Sequence, residues 1–307
     1  MTLERRVNVG ELGGNTGAFV NYAVAYYDAR GARTYARVWS TATPGTDAPN
    51  VGQMRITAGG MVFKLLFSAA KPSDFPLDLL AGSLSANVLP NGGGPPVTVR
   101  LLQIDIAVKD DLAGPTGWYF ATYAFDRNVA GSSPWLKMAP VGLMWGNDPS
   151  GPPLLESWIN PSAAAYAKNH LGVDGRLNGP VDNPVSACMS CHGTAQAPTL
   201  ANMIPPASGT CAPERPKWFR NLPGTQAFGR FEPGPSSCLT SLNGTTLTAA
   251  DYSLQLASTV TRTLRAPATF NPCTWDAAKP PSVVAPAAAT AAGGQKPPRI
   301  FEVTRDP

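Results

Sequence analysis

One pentapeptide constrains this chain more than any other feature. Residues 188–192 read Cys-Met-Ser-Cys-His, which is the spacing C-x-x-C-H. Two thiols three positions apart can each form a thioether with one vinyl group of the same porphyrin. The histidine after the second thiol is then held beneath the iron as its proximal ligand. The motif therefore predicts one covalently attached haem c, anchored by Cys188 and Cys191 and ligated by His192.

Two other chemistries use the same residue types. A zinc site would need a fourth ligand beside the two cysteines and the histidine, and Cys211 or His170 could supply it. A redox-active dithiol would be expected at a strand-to-helix junction of a βαβ unit, and the chain contains no such pattern. There is also no second C-x-x-C pair. We therefore favour haem and keep zinc and dithiol chemistry as alternatives.

Composition narrows the remaining function classes. The net charge of +4 is small and dispersed, which argues against a nucleic-acid partner. Only two histidines are present, which excludes a multihaem protein. The 30 glycines and 32 prolines favour strands, turns and long loops over a helical bundle. No run approaches the roughly 18 apolar residues of a membrane-spanning helix, so no transmembrane segment is predicted.

The haem prediction carries a prediction of compartment. Haem c is attached on the oxidising side of a membrane, so we expect a periplasmic or secreted protein. Residues 1–10 contain no apolar run, and no signal peptide is visible. We interpret residues 1–17 as the remnant of a longer precursor.

Three cysteines lie outside the motif, at positions 211, 238 and 273. The preferred pairing is a Cys211–Cys238 disulfide, because a bridge between Cys238 and Cys273 would span a predicted helix. Closing this loop would stabilise the fold by about 3–4 kcal/mol. The alternatives are three buried free thiols, or pairing of the odd cysteine with one in an absent N-terminal segment.

Segments rich in β-branched and aromatic residues predict a mainly β (α+β) fold built on an antiparallel sheet. The clearest strands are Val97–Val108 and Trp118–Phe125, which form an antiparallel pair across a Gly-Pro-Thr-Gly turn. Phe19–Tyr27 and Arg33–Trp39 are predicted to form a hairpin around a turn at 28–31. Further strands are predicted at Met61–Phe67 and Pro140–Trp145.

Long loops and a few short helices are expected elsewhere. Ser162–His170 is predicted to form two helical turns with Ser162 as the cap, and Ala249–Leu264 has apolar residues at helical spacing. Residues 277–299 are an Ala/Pro/Gly segment of the composition typical of linkers. These features divide the chain into an N-terminal remnant, a sheet core, a haem-bearing loop and helix region, and a Pro/Ala-rich tail, at 1–17, 18–130, 131–265 and 266–307.

The order of these segments resembles known cytochromes. The cytochrome c′-beta group and the related cytochromes with a lysine cross-linked to the haem share a pattern found here at Gly60–Phe67, Val108–Asp110, Gly117–Asp126 and Cys188–His192. More specifically, Pro140–Pro149, Glu156–Asn160 and Gly175–Gln196 resemble a family of uncharacterised bacterial monohaem cytochrome c proteins. The second resemblance covers most of residues 19–264.

The resemblance implies an antiparallel sheet that cradles the haem. In the cross-linked cytochromes a lysine bonds the porphyrin, and Lys64 is the candidate in this chain. Without the resemblance, Lys64 would be interpreted as a strand-edge lysine whose stem covers apolar surface. About sixty residues separate Asp126 from Cys188, which is more than the compact relatives need.

The sixth iron ligand separates the two main functional hypotheses. Met203 is the first candidate, with Met144 and His170 as alternatives. Each has a structural interpretation as well, since methionines often fill cores and His170 fits a helix C-terminus. A six-coordinate iron would favour electron transfer with an unidentified redox partner protein. An open distal side would favour a haem enzyme or gas-binding protein that oxidises small nitrogen compounds, binds NO or CO, or acts as a peroxidase. A homodimer is left open.

Overall fold

A strongly hydrogen-bonded antiparallel sheet organises the computed structural model of this protein. The sheet has eight strands in the order β1-β2-β3-β5-β6-β7-β8, and β4 pairs with the start of β5 on the edge that β6 occupies further along. The strands are β1 (Thr2–Val7), β2 (Phe19–Tyr27), β3 (Met61–Ser68), β4 (Ser85–Val88), β5 (Val97–Lys109), β6 (Trp118–Phe125), β7 (Met138–Met144) and β8 (Ser157–Ile159). The structure describes residues 2–40, 48–89, 95–206, 209, 211–228 and 246–265.

Short helices and a small second sheet complete the described part of the chain. The α-helices are α1 (Ala29–Ser40), α2 (Ala165–Lys168), α3 (Cys188–His192) and α4 (Leu254–Arg265), and β9 (Gln196–Ala197) pairs with β10 (Thr248–Ala249). Short 3-10 helices span Val51–Gln53, Pro72–Asp74, Pro134–Lys137, Val173–Gly175 and Ala212–Phe219. The mainly β, antiparallel fold class is confirmed. Among the described residues, no helix is long and apolar enough to cross a membrane.

The two central strands owe their positions to their side chains. Along β6, Trp118, Phe120, Thr122 and Ala124 alternate with less buried residues, so one face of the strand packs inward. Trp118 and Phe120 join the largest apolar cluster, which also contains Met189 of α3. The predicted antiparallel pairing of β5 with β6 is confirmed, with Ala107 opposite Phe120. The motif helix is therefore packed directly against the centre of the sheet.

The predicted hairpin partner at Arg33–Trp39 is wrong, because these residues belong to α1. The Asp28 carboxylate accepts a hydrogen bond from the Gly31 amide at 2.8 Å and so caps the first turn of the helix. Buried positions then recur at Gly31, Thr34 and Val38, which is helical rather than strand spacing. The sequence pattern of this segment is compatible with a strand and with a helix. The helix is favoured because it packs Val38 against α4.

Two predicted helices are shorter than expected. Around Ser162, the Asn160 side chain accepts the Ser162 amide at 3.0 Å, so the chain forms a turn there and only α2 is helical. Ser162 is therefore not the cap. At the other segment, Thr248 pairs in β10 and the helix begins only at Leu254.

The predicted division at residue 130 does not match the sheet. Strands β7 and β8 follow that position and extend the sheet beside β6, and β1 within residues 1–17 forms one of its edges. β4 also lies outside the strands predicted from the sequence. The described residues between 2 and 265 belong to one compact unit. The predicted tail at 266–307 and the linker at 277–299 lie outside the described residues.

Candidate functional site

The C-x-x-C-H residues form a single helical turn, α3. The Ser190 hydroxyl accepts the Ala187 amide at 2.8 Å and donates to the Ala187 carbonyl at 2.9 Å, which closes the start of the turn. The Cys188 amide donates to the Leu177 carbonyl at 3.1 Å and ties the turn to the preceding loop. Because residues three apart lie on one side of a helix, Cys188 and Cys191 share a face. Met189 points into the core.

The shared face of the two cysteines opens on a cleft of about 200 Å³. One wall is the sheet, and the opposite walls are the loop before α3, the chain near residue 203 and the start of α4. His192 lines the same cleft. The lining also includes Arg5, Lys64, Asp105, Phe120, Thr122, Asp182 and Met203.

The His192 imidazole is held in one orientation and one tautomer. Its Nδ1 lies 2.8 Å from the carbonyl oxygen of Tyr252, and a carbonyl only accepts, so Nδ1 carries the proton. The Phe120 ring packs against it at 4.8 Å between centroids. Burial lowers the pKa of His192 to about 4, with a contribution from the positive charge of Lys64. The ring is thus neutral at pH 7, with its lone pair on Nε2, which is the form that ligates a metal.

A buried ion pair lies at Asp251, the residue before Tyr252. Lys109 Nζ lies 2.8 Å from Asp251 Oδ1, and the two side chains are 4% and 1% exposed. Asp251 also accepts hydrogen bonds from the Trp118 indole at 2.9 Å and the Ile56 amide at 2.8 Å. Asp251 and Tyr252 both have positive φ, at 46° and 63°, a conformation that non-glycine residues adopt at a cost. The ion pair and its hydrogen bonds hold this strained dipeptide beneath His192.

Both thiols are protonated at neutral pH. Burial in the cleft raises the pKa of Cys188 well above its ordinary value, and the negative charge of Asp105 adds to the effect. Burial likewise raises the pKa of Cys191 to about 11. Reactive redox dithiols have lowered thiol pKa values, so this environment disfavours the dithiol alternative.

The zinc alternative lacks an assembled ligand set. Within the ranges that the structure describes, no three His, Cys, Asp or Glu side chains are grouped as a metal ion would require. His170, one of the two proposed fourth ligands, is buried, and its Nε2 lies 2.9 Å from the Asp182 carbonyl oxygen.

The predicted axial-ligand candidates fall in different places. Met203 lines the cleft and is 46% exposed. Met144 is fully buried in the core and, like His170, is not part of the cleft lining. Lys64 lines the cleft, and its cross-link to a haem stays a prediction. Cys211 is described but Cys238 lies outside the described residues, so their disulfide stays a prediction.

Sequence reasoning did not identify several residues that shape the site. Asp105 lies within the most apolar strand and Lys109 ends it. A charged residue in such a strand is unusual, and this could have marked both residues. Asp251 and Tyr252 carried no signal, because they lie in a segment that was predicted to be helical. Asp182 belongs to a string of turn residues, and only tertiary contacts bring it to the cleft.

A comparison of the chain with protein-family models, curated proteins and solved structures finds no match.

Proposed function

We propose that this protein is a monohaem c-type cytochrome that exchanges electrons with a redox partner protein in the periplasm or outside the cell. The observation that carries the proposal is the shared cleft of Cys188, Cys191 and His192, with the imidazole oriented by the Tyr252 carbonyl. The haem, when bound, would supply a one-electron couple. We also propose that the chain belongs with the bacterial monohaem cytochromes it resembles.

The donor set of the cleft fits a covalently attached haem. Neutral thiols can add across vinyl groups, and both thiols lie on one helical face. The neutral imidazole keeps Nε2 available while Tyr252 holds Nδ1, an outer-shell partner of the kind that orients and strengthens a histidine ligand. Phe120 and Ile106 provide apolar surface in the sheet wall, which excludes water from a bound macrocycle.

A second candidate function has its own support. Met203 is nearly half exposed, and the cleft lining carries the carboxyl groups of Asp105 from the sheet and Asp182 from the loop before α3. A distal side without a protein ligand would let a small ligand such as CO or NO bind beside these polar groups. This alternative is a haem enzyme or gas-binding protein of the same compartment.

The test of haem attachment is expression of the full chain in cells with a haem c assembly system. We expect haem that stays with the polypeptide after denaturation. The Cys188→Ser/Cys191→Ser double variant should lose it. Met189→Leu, a change on the core side of the same turn, should retain it. A wild-type chain without haem in competent cells would refute the proposal, as would covalent haem in the double variant.

Absorbance spectra of the reduced protein with and without CO then separate the two candidates. A low-spin ferrous spectrum that CO does not change would indicate six-coordinate iron and electron transfer. A high-spin spectrum that shifts with CO would instead indicate an open iron site and favour ligand binding or catalysis.

A further inference from the structure

We infer that Asp105 of the sheet wall and Asp182 of the loop before α3 form an acid pair that holds one proton and exchanges it with solvent when the haem gains or loses an electron. The inference rests on the proposed function, because the electron is that of the haem. It adds proton coupling, which no sequence motif indicated.

The side chain of Gln103 brings the two carboxyl groups together. Its Nε2 lies 2.9 and 2.8 Å from the two carboxyl oxygens of Asp105 and 2.9 Å from Oδ2 of Asp182. An amide nitrogen has two hydrogens, so it cannot serve three oxygens with well-aligned bonds. Its Oε1 accepts the Val181 amide at 3.2 Å, which fixes which end of the amide faces the carboxyl groups. The Thr122 hydroxyl and the Gly179 amide donate to Asp105 Oδ1 and Asp182 Oδ2 at 2.9 and 3.1 Å, so the two carboxyl groups are held together around one amide nitrogen.

The carboxyl groups of Asp105 and Asp182 also lie close enough together to repel each other, since both are within 2.9 Å of Gln103 Nε2. Two carboxyl groups that share one amide nitrogen repel each other when both are ionised, and one of them then keeps its proton to higher pH. Desolvation and the charge of Asp182 together raise the pKa of Asp105 to about 7. Lys64 opposes this shift without abolishing it.

The fixed charges around the pair sum to one positive charge, because the Glu11 carboxylate forms an ion pair with Arg5 and offsets one of the two cations, Lys64 and Arg5. Lys64 of β3 is the direct cross-strand neighbour of Asp105. Arg5 of β1 donates to the Val181 and Asp182 carbonyls at 3.2 and 3.1 Å. From α3, Cys188, Cys191 and His192 face the cleft in neutral form.

The pair lies close enough to the haem-attachment residues to sense the charge there. Lys64, Asp105 and Thr122 form a row across three adjacent strands. The Thr122 hydroxyl donates to Asp105 Oδ1 at 2.9 Å, and its oxygen lies 3.8 Å from the Cys188 sulfur. An added electron makes the cleft more negative and favours the protonated pair. On reduction, one electron arrives from the redox partner and one proton from water binds a carboxyl oxygen, and oxidation reverses both.

The first test is a spectroelectrochemical titration of the haem-loaded full chain between pH 5.5 and 8.5. We expect the midpoint potential to fall as pH rises through neutrality, by up to about 59 mV for each tenfold drop in proton concentration. Asp105→Asn should flatten this dependence. Asp111→Asn is the matched control, since it removes the same charge from an exposed side chain outside the cleft lining. A flat wild-type profile would overturn the inference, as would an unchanged slope in Asp105→Asn.

The second test needs neither a variant nor haem. Carbon-13 NMR of the carboxyl groups in the labelled full chain should show one aspartate that titrates near pH 7, and assignment should place it at Asp105 or Asp182. Ordinary titration below pH 5 for both would overturn the inference. If haem never attaches, the proposed function fails while this titration still reports on the acid pair. If haem attaches and neither aspartate titrates near neutrality, the inference fails and the proposed function stands.

Discussion

The substitution Lys109→Met tests the support beneath His192. Methionine keeps the apolar stem of the lysine and removes its charge, so Asp251 is left as a buried carboxylate with two neutral donors. Breaking a buried ion pair by removing one partner costs about 3–5 kcal/mol. The two side chains are 4% and 1% exposed, so solvent offers Asp251 little compensation. We therefore expect unfolding free energy to drop by about 3–5 kcal/mol, a large part of the 5–15 kcal/mol typical of a domain.

The assay is urea unfolding at pH 7, monitored by circular dichroism. Wild type and variants are compared in the same state of haem loading. Lys71→Met, at an exposed position, is the control and should change stability by less than about 0.5 kcal/mol. Adding Asp251→Asn to Lys109→Met should recover part of the loss, because the uncompensated charge is gone. A cost below about 1 kcal/mol for Lys109→Met, with an unchanged denaturant slope, would refute the reasoning and remove the ion pair as the support of the Tyr252 carbonyl.

Three further predictions concern the cleft and its approaches. Because the folded-state pKa of Asp105 is about 7 against an ordinary value of 3.8, the folded chain keeps a proton that the unfolded chain loses. Its stability should therefore fall as pH rises from about 4 to 7, by at most about 4 kcal/mol from this group, and urea titrations should show a shallower decline for Asp105→Asn. If Met203 is the sixth ligand, Met203→Ala should turn a CO-insensitive ferrous spectrum into a CO-binding one; an unchanged spectrum would exclude this methionine. A Cβ on Gly172 would clash with the Ser186 carbonyl oxygen, so Gly172→Ala should lose about 1–3 kcal/mol of stability and reduce haem attachment. Gly52→Ala should do neither, because the nearest contact of its Cβ is at 3.3 Å.

Predictability from the sequence differed between strands and the segments that connect them. Trp118–Phe125 was predicted at its observed bounds, since its aromatic and alternating composition suits one structure only. Arg33–Trp39 was predicted as a strand and is helical, because its apolar residues satisfy both periods and the cap at Asp28 acts through a contact with β3 as well as its own turn.

The sequence by itself determined the antiparallel β class, because strand alternation is a local pattern. It also supplied the C-x-x-C-H spacing on which the haem proposal rests. Only the tertiary structure decided what surrounds the motif. The Tyr252 carbonyl reaches His192 across 60 positions, and Asp182 reaches Gln103 across 79. Such contacts follow from how loops pack on the sheet, and no local propensity encodes them. The carbonyl that orients the imidazole and the loop carboxyl group that contacts Gln103 are therefore visible only in the folded chain.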